Sequence, residues 1–297
     1  HHRSSAASDV YKRQSLSRLL RLSLFQFSTG MAIVLLTGTL NRIMVVELGQ
    51  PASWVSLMLA IPLLMAPARA LIGYRSDHHR SFLGWRRIPY LWSGTMMQFG
   101  GLAFMPFALI LMTESHSGPE LLGPAAAMAS FLLTGLGMHV AQTAGLALAT
   151  DLATEETRPR VVALLYLMLL IGMVGSALIF AALLEDFGYV RLIQVIQSAA
   201  VITLVLNVVA MLKQEARRPD LTDHALARPT FGNAWRDFIS LPKARPLLWA
   251  LGLGTMGFTM QDILLEPYGA QVLGLSVSDT TLLTAMFASG MVLALTL

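Results

Sequence analysis

Apolar runs about the length of a bilayer crossing recur from one end of this chain to the other, and that pattern removes most folds from consideration. A helix spanning the hydrocarbon core takes about 20 mostly apolar residues. By that measure seven full segments lie near 22–46, 54–74, 88–112, 123–149, 161–184, 190–212 and 245–268, and an eighth begins near 280 and is cut short at Leu297. Lipid cannot hydrogen-bond an open backbone, so segments of this length must be helices, and the expected fold class is an all-α membrane protein. Only 13% of the 297 residues are charged, where a soluble domain has about 25%. The 21 lysines and arginines are spread over short loops rather than gathered into a patch, which argues against a nucleic-acid partner. With no cysteine, disulfides, thiolate metal sites, iron–sulfur clusters and cysteine nucleophiles are excluded.

The placement of basic residues sets the expected orientation. With the N-terminus in the cytoplasm, the inner segments hold Arg18 and Arg21, then Arg75, Arg80, Arg86 and Arg87, then Arg158 and Arg160, then the stretch from Lys213 through Arg228 to Arg245, whereas the outer loops hold only Arg191. Residues 1–14, opening His1-His2-Arg3, resemble a cloning scar and are set aside. Residues 15–212 then read as a six-helix N-terminal bundle, 213–244 as a cytoplasmic linker, and 245–297 as the first helices of a second, truncated bundle. Sliding the chain by 225 positions sets Leu48-Gly49 on Leu273-Gly274, Ser53 on Ser278, Leu57 on Leu282 and Ala60 on Ala285. Six helices, a linker and a restart of the same pattern match the parallel-halves plan of the major facilitator superfamily.

Several polar groups interrupt this apolar background. Between the second and third segments stand Gly73-Tyr74-Arg75-Ser76-Asp77 and Gly84-Trp85-Arg86-Arg87, which resemble the facilitator loop signature, although the basic pair comes later than in the usual pattern. There the glycine would let helices approach, and the aspartate would pair with basic groups to latch one conformation. An ordinary positively charged inner loop is the plainer reading. The run Gly252-Leu253-Gly254-Thr255-Met256-Gly257 has the form of a dinucleotide fingerprint, but no strand precedes it, so close helix packing is the expectation. The same packing role is expected of Gly135, Gly137, Gly172 and Gly175.

Ionisable groups inside a bilayer are costly and mark candidate sites. Arg42 falls toward the outer end of the first segment and Arg69 in the inner part of the second, where snorkelling to the surface is expected. Asp262 and Glu266 are spaced to share one face of the seventh. An ion pair from Arg42 to that acidic pair is expected, either as a structural strut or as part of a functional site. His139 and Gln142 lie well inside the fourth segment. A histidine there can serve as an interhelical hydrogen-bonder, or ligate a metal, including the central ion of a tetrapyrrole.

Four runs carry a more specific likeness: Asn41-Arg42-Ile43-Met44-Val45-Val46-Glu47-Leu48-Gly49, Ala66-Pro67-Ala68-Arg69-Ala70-Leu71-Ile72-Gly73-Tyr74-Arg75-Ser76-Asp77, Gln142-Thr143-Ala144-Gly145-Leu146-Ala147-Leu148-Ala149-Thr150-Asp151, and Gln261-Asp262-Ile263-Leu264-Leu265-Glu266-Pro267-Tyr268-Gly269. Together they resemble the PucC/LhaA group, a photosynthetic branch of the major facilitator superfamily. That resemblance implies a factor that assembles light-harvesting antenna complexes and binds or delivers bacteriochlorophyll in the inner or intracytoplasmic photosynthetic membrane of a bacterium. Its partners would be antenna polypeptides, the pigment and the bilayer, with His139 and Gln142 as the pigment site and Arg42, Arg69, Asp262 and Glu266 as the next choices. The alternative is a proton-coupled solute transporter. A pigment-synthesis enzyme such as a prenyl transferase would need paired aspartate-rich segments to hold magnesium and a diphosphate; no such pair is present in the sequence, so no enzymatic activity is expected.

Overall fold

A computed structural model describes residues 16–113, 119, 121–222 and 230–296; the expected scar at 1–14 and the linker's Arg228 lie outside them. Among the described residues the chain is helical throughout, with no strand. Six long helices come first: α1 (Leu16–Val46), α2 (Ala52–Asp77), α3 (Ile88–Leu111), α4 (Leu122–Leu152), α5 (Arg158–Leu183) and α6 (Tyr189–Met211). A short surface helix, α7 (Phe231–Ser240), precedes α8 (Ala244–Gln271) and α9 (Val277–Thr296). Helices α1 to α6 and α9 are long and apolar enough to cross a bilayer, and the chain is a multi-pass membrane helix bundle.

Two sequence expectations change here. The segment expected to be cut short near 280 forms a helix of spanning length, α9. The expected span at 245–268 does form a helix of 28 residues, but it is not among the seven apolar enough to span. Its glycines, together with Thr255, Thr259, Gln261, Asp262 and Glu266, dilute the apolar side chains. Most of α8 is exposed; apart from Ala244 at its start, its buried positions Glu266, Pro267 and Gly269 lie near its C-terminal end.

Close approach of the helices depends on small residues, as it does where lipid supplies no hydrophobic drive between them. A methyl group at Gly30 of α1 would run into the Leu169 carbonyl of α5, and one at Gly172 of α5 into the Phe27 backbone. Gly94 and Gly101 of α3 sit in the same way against Gly137, Ala141, Ser130 and Thr134 of α4. Gly135, Gly137 and Gly172 therefore pack as expected. Gly175 meets only the Phe27 ring at 3.9 Å, and a side chain at Gly252, Gly254 or Gly257 would meet nothing within 4 Å. The fingerprint-like run of α8 thus makes no close packing among the described residues.

The buried apolar side chains form two clusters, one around Leu35, Met44, Leu102, Phe131 and Ile196, the other around Leu22, Phe25, Leu91, Leu148 and Leu165. Between them along the helices runs a polar layer. Ser28 donates to Asn207 Oδ1 at 2.6 Å, and Asn207 Nδ2 donates to Thr95 Oγ1 and Gln98 Oε1, both at 3.1 Å. All four side chains are buried, so this network ties α1, α3 and α6 together where unpartnered polar groups would be costly.

The 225-residue repeat is visible in the backbone. One helix ends at Val46 and its counterpart at Gln271, and the next begin at Ala52 and Val277. In both connections a glycine takes the left-handed conformation, Gly49 at φ 61° and Gly274 at φ 67°, where a side chain would be strained.

The packing of α3 on α4 yields a paired expectation. Gly101→Ala presses a methyl into the Thr134 backbone and should cost about 1–3 kcal/mol, the usual range for overpacking. Its neighbour Gly100 has only the Leu133 side-chain end at 3.5 Å, and Gly100→Ala should leave stability unchanged. Thermal unfolding of the two variants in one detergent checks the difference.

Candidate functional site

At the basic end of the bundle, the 78–87 loop folds back so that Arg87 meets Asp77. Arg87 is 5% exposed; its Nε donates to Asp151 Oδ2 at 3.1 Å, its Nη1 to Ser76 Oγ at 2.7 Å, and the same Nη1 forms an ion pair with Asp77. Arg86 lies on the rim, 3.7 Å from the same Asp151 oxygen. The fold-back passes through Gly84, whose φ of 75° and tight fit against the backbone of Arg218 and Pro219 leave no room for a side chain. Gly73 is less constrained: a methyl there would meet Thr143 Cγ2 at an ordinary 3.6 Å.

The chain leaving α6 completes this clamp. Lys213 adopts a left-handed φ of 54° and turns the backbone so that Glu215 reaches the start of α3. The Glu215 carboxylate accepts the backbone N–H groups of Arg86 at 2.7 Å, Arg87 at 3.0 Å and Ile88 at 2.9 Å. Those are the orphan donors of a helix N-terminus, where negative charge is also favoured by the helix dipole. Arg218 N–H donates to the Gly84 carbonyl at 2.9 Å, and Thr222 Oγ1 to the Ser81 carbonyl at 2.8 Å. Asp77, Gly84, Arg86 and Arg87 are thus brought together. Ser76, next to Asp77 in the same run, completes the set with Asp151 and Glu215, and no local spacing links those two to the loop.

Deeper in the bundle, α2 is broken. Its α-helical hydrogen bonding lapses between Leu64 and Ala68, where Pro67 has no N–H to donate and the Ala66 N–H turns to the Leu63 carbonyl. The Pro62 carbonyl loses its usual partner four residues on and takes the Met65 N–H at 3.2 Å instead, and His139 of α4 adds a second donor: Nε2 donates to it at 2.9 Å. One turn before His139, Gly135 leaves the space that the Pro62 ring fills. Arg69, beyond the break, does not run to the surface as expected; it is half-buried and its Nε donates to Thr143 Oγ1 at 3.1 Å, while Thr143 donates to the His139 carbonyl at 2.7 Å. Gln142 donates to Gln26 Oε1 of α1 at 3.2 Å.

This arrangement bears on pigment ligation. With Nε2 spent as a donor, the lone pair of the neutral ring lies on Nδ1, and that atom is buried without a hydrogen-bond partner. The imidazole is held as a helix clasp through Nε2, and Nδ1 is the nitrogen it would have left for a tetrapyrrole metal. Among the described residues no group of three or more histidines and acidic residues could hold a metal ion.

At the opposite end, α1 widens into a π-helix over Val34–Leu40, a form that is rare and frequent at functional sites. The ion pair expected from Arg42 to the acidic pair of α8 is not formed. Arg42 is buried and pairs with Glu47 on its own helix end at 2.6 Å, closer in sequence and able to stay at the rim, and its Nη2 donates to the Leu275 carbonyl at 3.3 Å. Asp262 is exposed. Glu266 is 1% exposed; its Oε1 accepts from Thr284 Oγ1 at 2.6 Å, its Oε2 has no hydrogen-bond partner, and it lies against Gly38, where a side chain would displace it. Asn41 Nδ2 donates to the Ile263 carbonyl of α8 at 2.7 Å.

Residues 39–297 match the family model described as PUCC protein. The chain is 57% identical over 286 residues to Protein PucC of Rhodovulum sulfidophilum, covering 93% of this chain and 62% of that protein. It is 50% identical over 288 residues to Protein PucC of Cereibacter sphaeroides, covering 96% and 62%. A more distant likeness, 27% identity over 276 residues covering 92% and 61%, is to the bacteriochlorophyll synthase 44.5 kDa chain of Rhodobacter capsulatus. The chain spans about three fifths of the length of these relatives.

The basic-end clamp gives an order of effects. Arg87→Ala strands two carboxylates and should destabilise most, though by less than the ~3–5 kcal/mol of a fully buried pair, because Asp77 and Asp151 are 47% and 39% exposed. Asp77→Asn should cost less, since Asp151 and Ser76 still hold the guanidinium, and Glu215→Gln should fall between. Denaturation midpoints in mild detergent measure the series; an Asp77→Asn loss equal to that of Arg87→Ala would contradict it.

Proposed function

The chain belongs to the PucC protein family, and on that premise we propose that it is an assembly factor for photosynthetic light-harvesting complexes rather than an enzyme. Its setting is the inner or intracytoplasmic photosynthetic membrane of a bacterium, with the N-terminus in the cytoplasm, as the lysine and arginine bias favours. The observation that carries this reading is the family match over most of the chain, in a protein whose helices are built for lipid.

The working parts are an N-terminal bundle of α1 to α6 and the start of a second bundle in α8 and α9, arranged as in the major facilitator superfamily and joined by the linker that holds α7. Rocking of one bundle against the other would open and close an intramembrane groove for single-span antenna polypeptides. The interface of α1 with α8, where Asn41 grips the Ile263 carbonyl, is where such rocking would act. The Arg87 clamp favours one arrangement of its end of the bundle.

Bacteriochlorophyll is the cargo we assign to that role, and His139 and Gln142 are assigned to bracing α2 and α1 around it. The full-length protein purified in mild detergent from pigment-making cells is expected to carry pigment by absorption and extraction, and to cross-link to antenna polypeptides in membranes. His139→Ala should keep the pigment but unfold earlier, because it removes an interhelical hydrogen bond worth about 0.5–1.5 kcal/mol and leaves the Pro62 carbonyl only the Met65 N–H. Pigment lost only in that variant would restore the imidazole as its ligand, and pigment in neither sample would remove the cargo assignment.

A second reading, proton-coupled movement of a small solute, draws on Glu266, a carboxyl buried between α1 and α9. Uptake into vesicles driven by a pH gradient, and lost in Glu266→Gln, would favour it over assembly.

A further inference from the structure

The short helix α7 is the most strongly amphipathic helix among the described residues, and the assembly reading makes no use of it. Its sequence, Phe231 to Ser240, places Phe231, Ala234, Trp235, Phe238 and Ile239 on one side of the helix at successive turns. Asn233, Arg236, Asp237 and Ser240 fall on the other. The aromatic side is organised: Phe231 stacks on Trp235 at 6.1 Å between ring centroids, and Trp235 lies 5.8 Å from Phe238. Thr230 caps the helix by accepting the Asn233 N–H, so the helix has a defined start.

No residue of α7 is buried. Phe231 makes an edge contact with Tyr74 at the basic end of α2, 5.5 Å between centroids, but Trp235 and Phe238 remain 38% and 40% exposed. In water such a face would be unfavourable, and it needs an occupant.

Position identifies that occupant. Only Leu241, Pro242 and Lys243 separate Ser240 from Ala244, where α8 begins. The aromatic row therefore lies within one short link of α8, and it continues into exposed apolar groups there: Leu241 at 56%, Leu247 at 55% and Trp249 at 72%. Arg236, Lys243 and Arg245 are exposed around it, with Asp237 as the one acidic side chain on the polar side. An indole with a polar N–H, flanked by phenylalanine rings and basic groups, suits the headgroup level of a bilayer.

We propose that α7 is an interfacial helix that lies in the headgroup region of the same bilayer, with Phe231, Trp235 and Phe238 entering the acyl boundary and the neighbouring basic residues meeting anionic lipid headgroups. It fixes the depth at which the linker meets the membrane and sets the angle at which the chain enters α8.

The test uses the full chain reconstituted in phosphatidylcholine–phosphatidylglycerol vesicles, with Trp235 as the single tryptophan after Trp54, Trp85, Trp92 and Trp249 are each changed to Phe. An interfacial helix sits about 5–10 Å into the boundary, so lipids brominated near the headgroup end of their chains should lower Trp235 emission about twofold or more, and aqueous iodide much less. Removing phosphatidylglycerol should weaken the lipid quenching. Should the single-tryptophan chain fail to fold, the difference in quenching between the unaltered protein and Trp235→Phe gives the same readout. Strong iodide quenching with no effect of brominated lipid would place the face in water, and protection from both quenchers would place a protein segment over it; either result overturns the proposal.

Discussion

Hydrocarbon offers no partner to a polar backbone group, and the arrangement of this bundle follows from how each break in its helices is made good. The break in α2 shows the rule. Pro67 removes a donor, Ala66 turns to Leu63, and the carbonyl of Pro62 keeps only the Met65 N–H at 3.2 Å in place of its usual helical partner. His139 reaches across from α4 to add a second, stronger donor there, and Gly135 one turn away lets the proline ring come near enough. Asn41 does the same service for the Ile263 carbonyl. Polar side chains thus act as fasteners at the points where the main chain would otherwise be exposed, and apolar packing fills the space between them.

The clamp at the basic end connects elements far apart in sequence. Asp77 ends α2, Asp151 lies near the end of α4, and Glu215 follows α6, yet all three converge on the two arginines that open α3 or on their backbone. The carboxylate of Glu215 satisfies α3's first donors, and its position on the chain leaving α6 means that the linker cannot move without disturbing the start of α3. Mechanical coupling between the linker and the N-terminal helices is built into that contact.

Much of this architecture was legible in the residues. Segment length and apolar content gave the helices, and the 225-residue offset located the paired turns at Gly49 and Gly274. What was not legible depended on distance in the fold. Sequence pairs Arg42 with Asp262 and Glu266 because depth in the membrane can be read from it, while the choice of Glu47, five positions away, depends on side-chain geometry at the helix end. Arg69 reads as free to snorkel because nothing in the sequence of α2 announces Thr143. The break at Pro62–Pro67 could have been suspected from two prolines, but the identity of His139 as the group that repairs it could not. Glu215 gave no local signal at all, since its partners are backbone N–H groups well over one hundred positions away.

The turns at Gly49 and Gly274 imply a symmetry at the contact of α1 with α8. Under the same offset Gly38 corresponds to Ile263 and Asn41 to Glu266, and the observed contacts are Asn41 on Ile263 and Glu266 on Gly38. Each residue touches the counterpart of the one that touches it, the reciprocal pattern of a two-fold interface, here written within one chain. A perfectly duplicated protein would carry the same group at both positions, and two acids there would face the same buried contact with like charge. The amide at one position and the carboxyl at the other break that equivalence, so the seam between these two related helices has a single chemically distinct side from which any change there can begin.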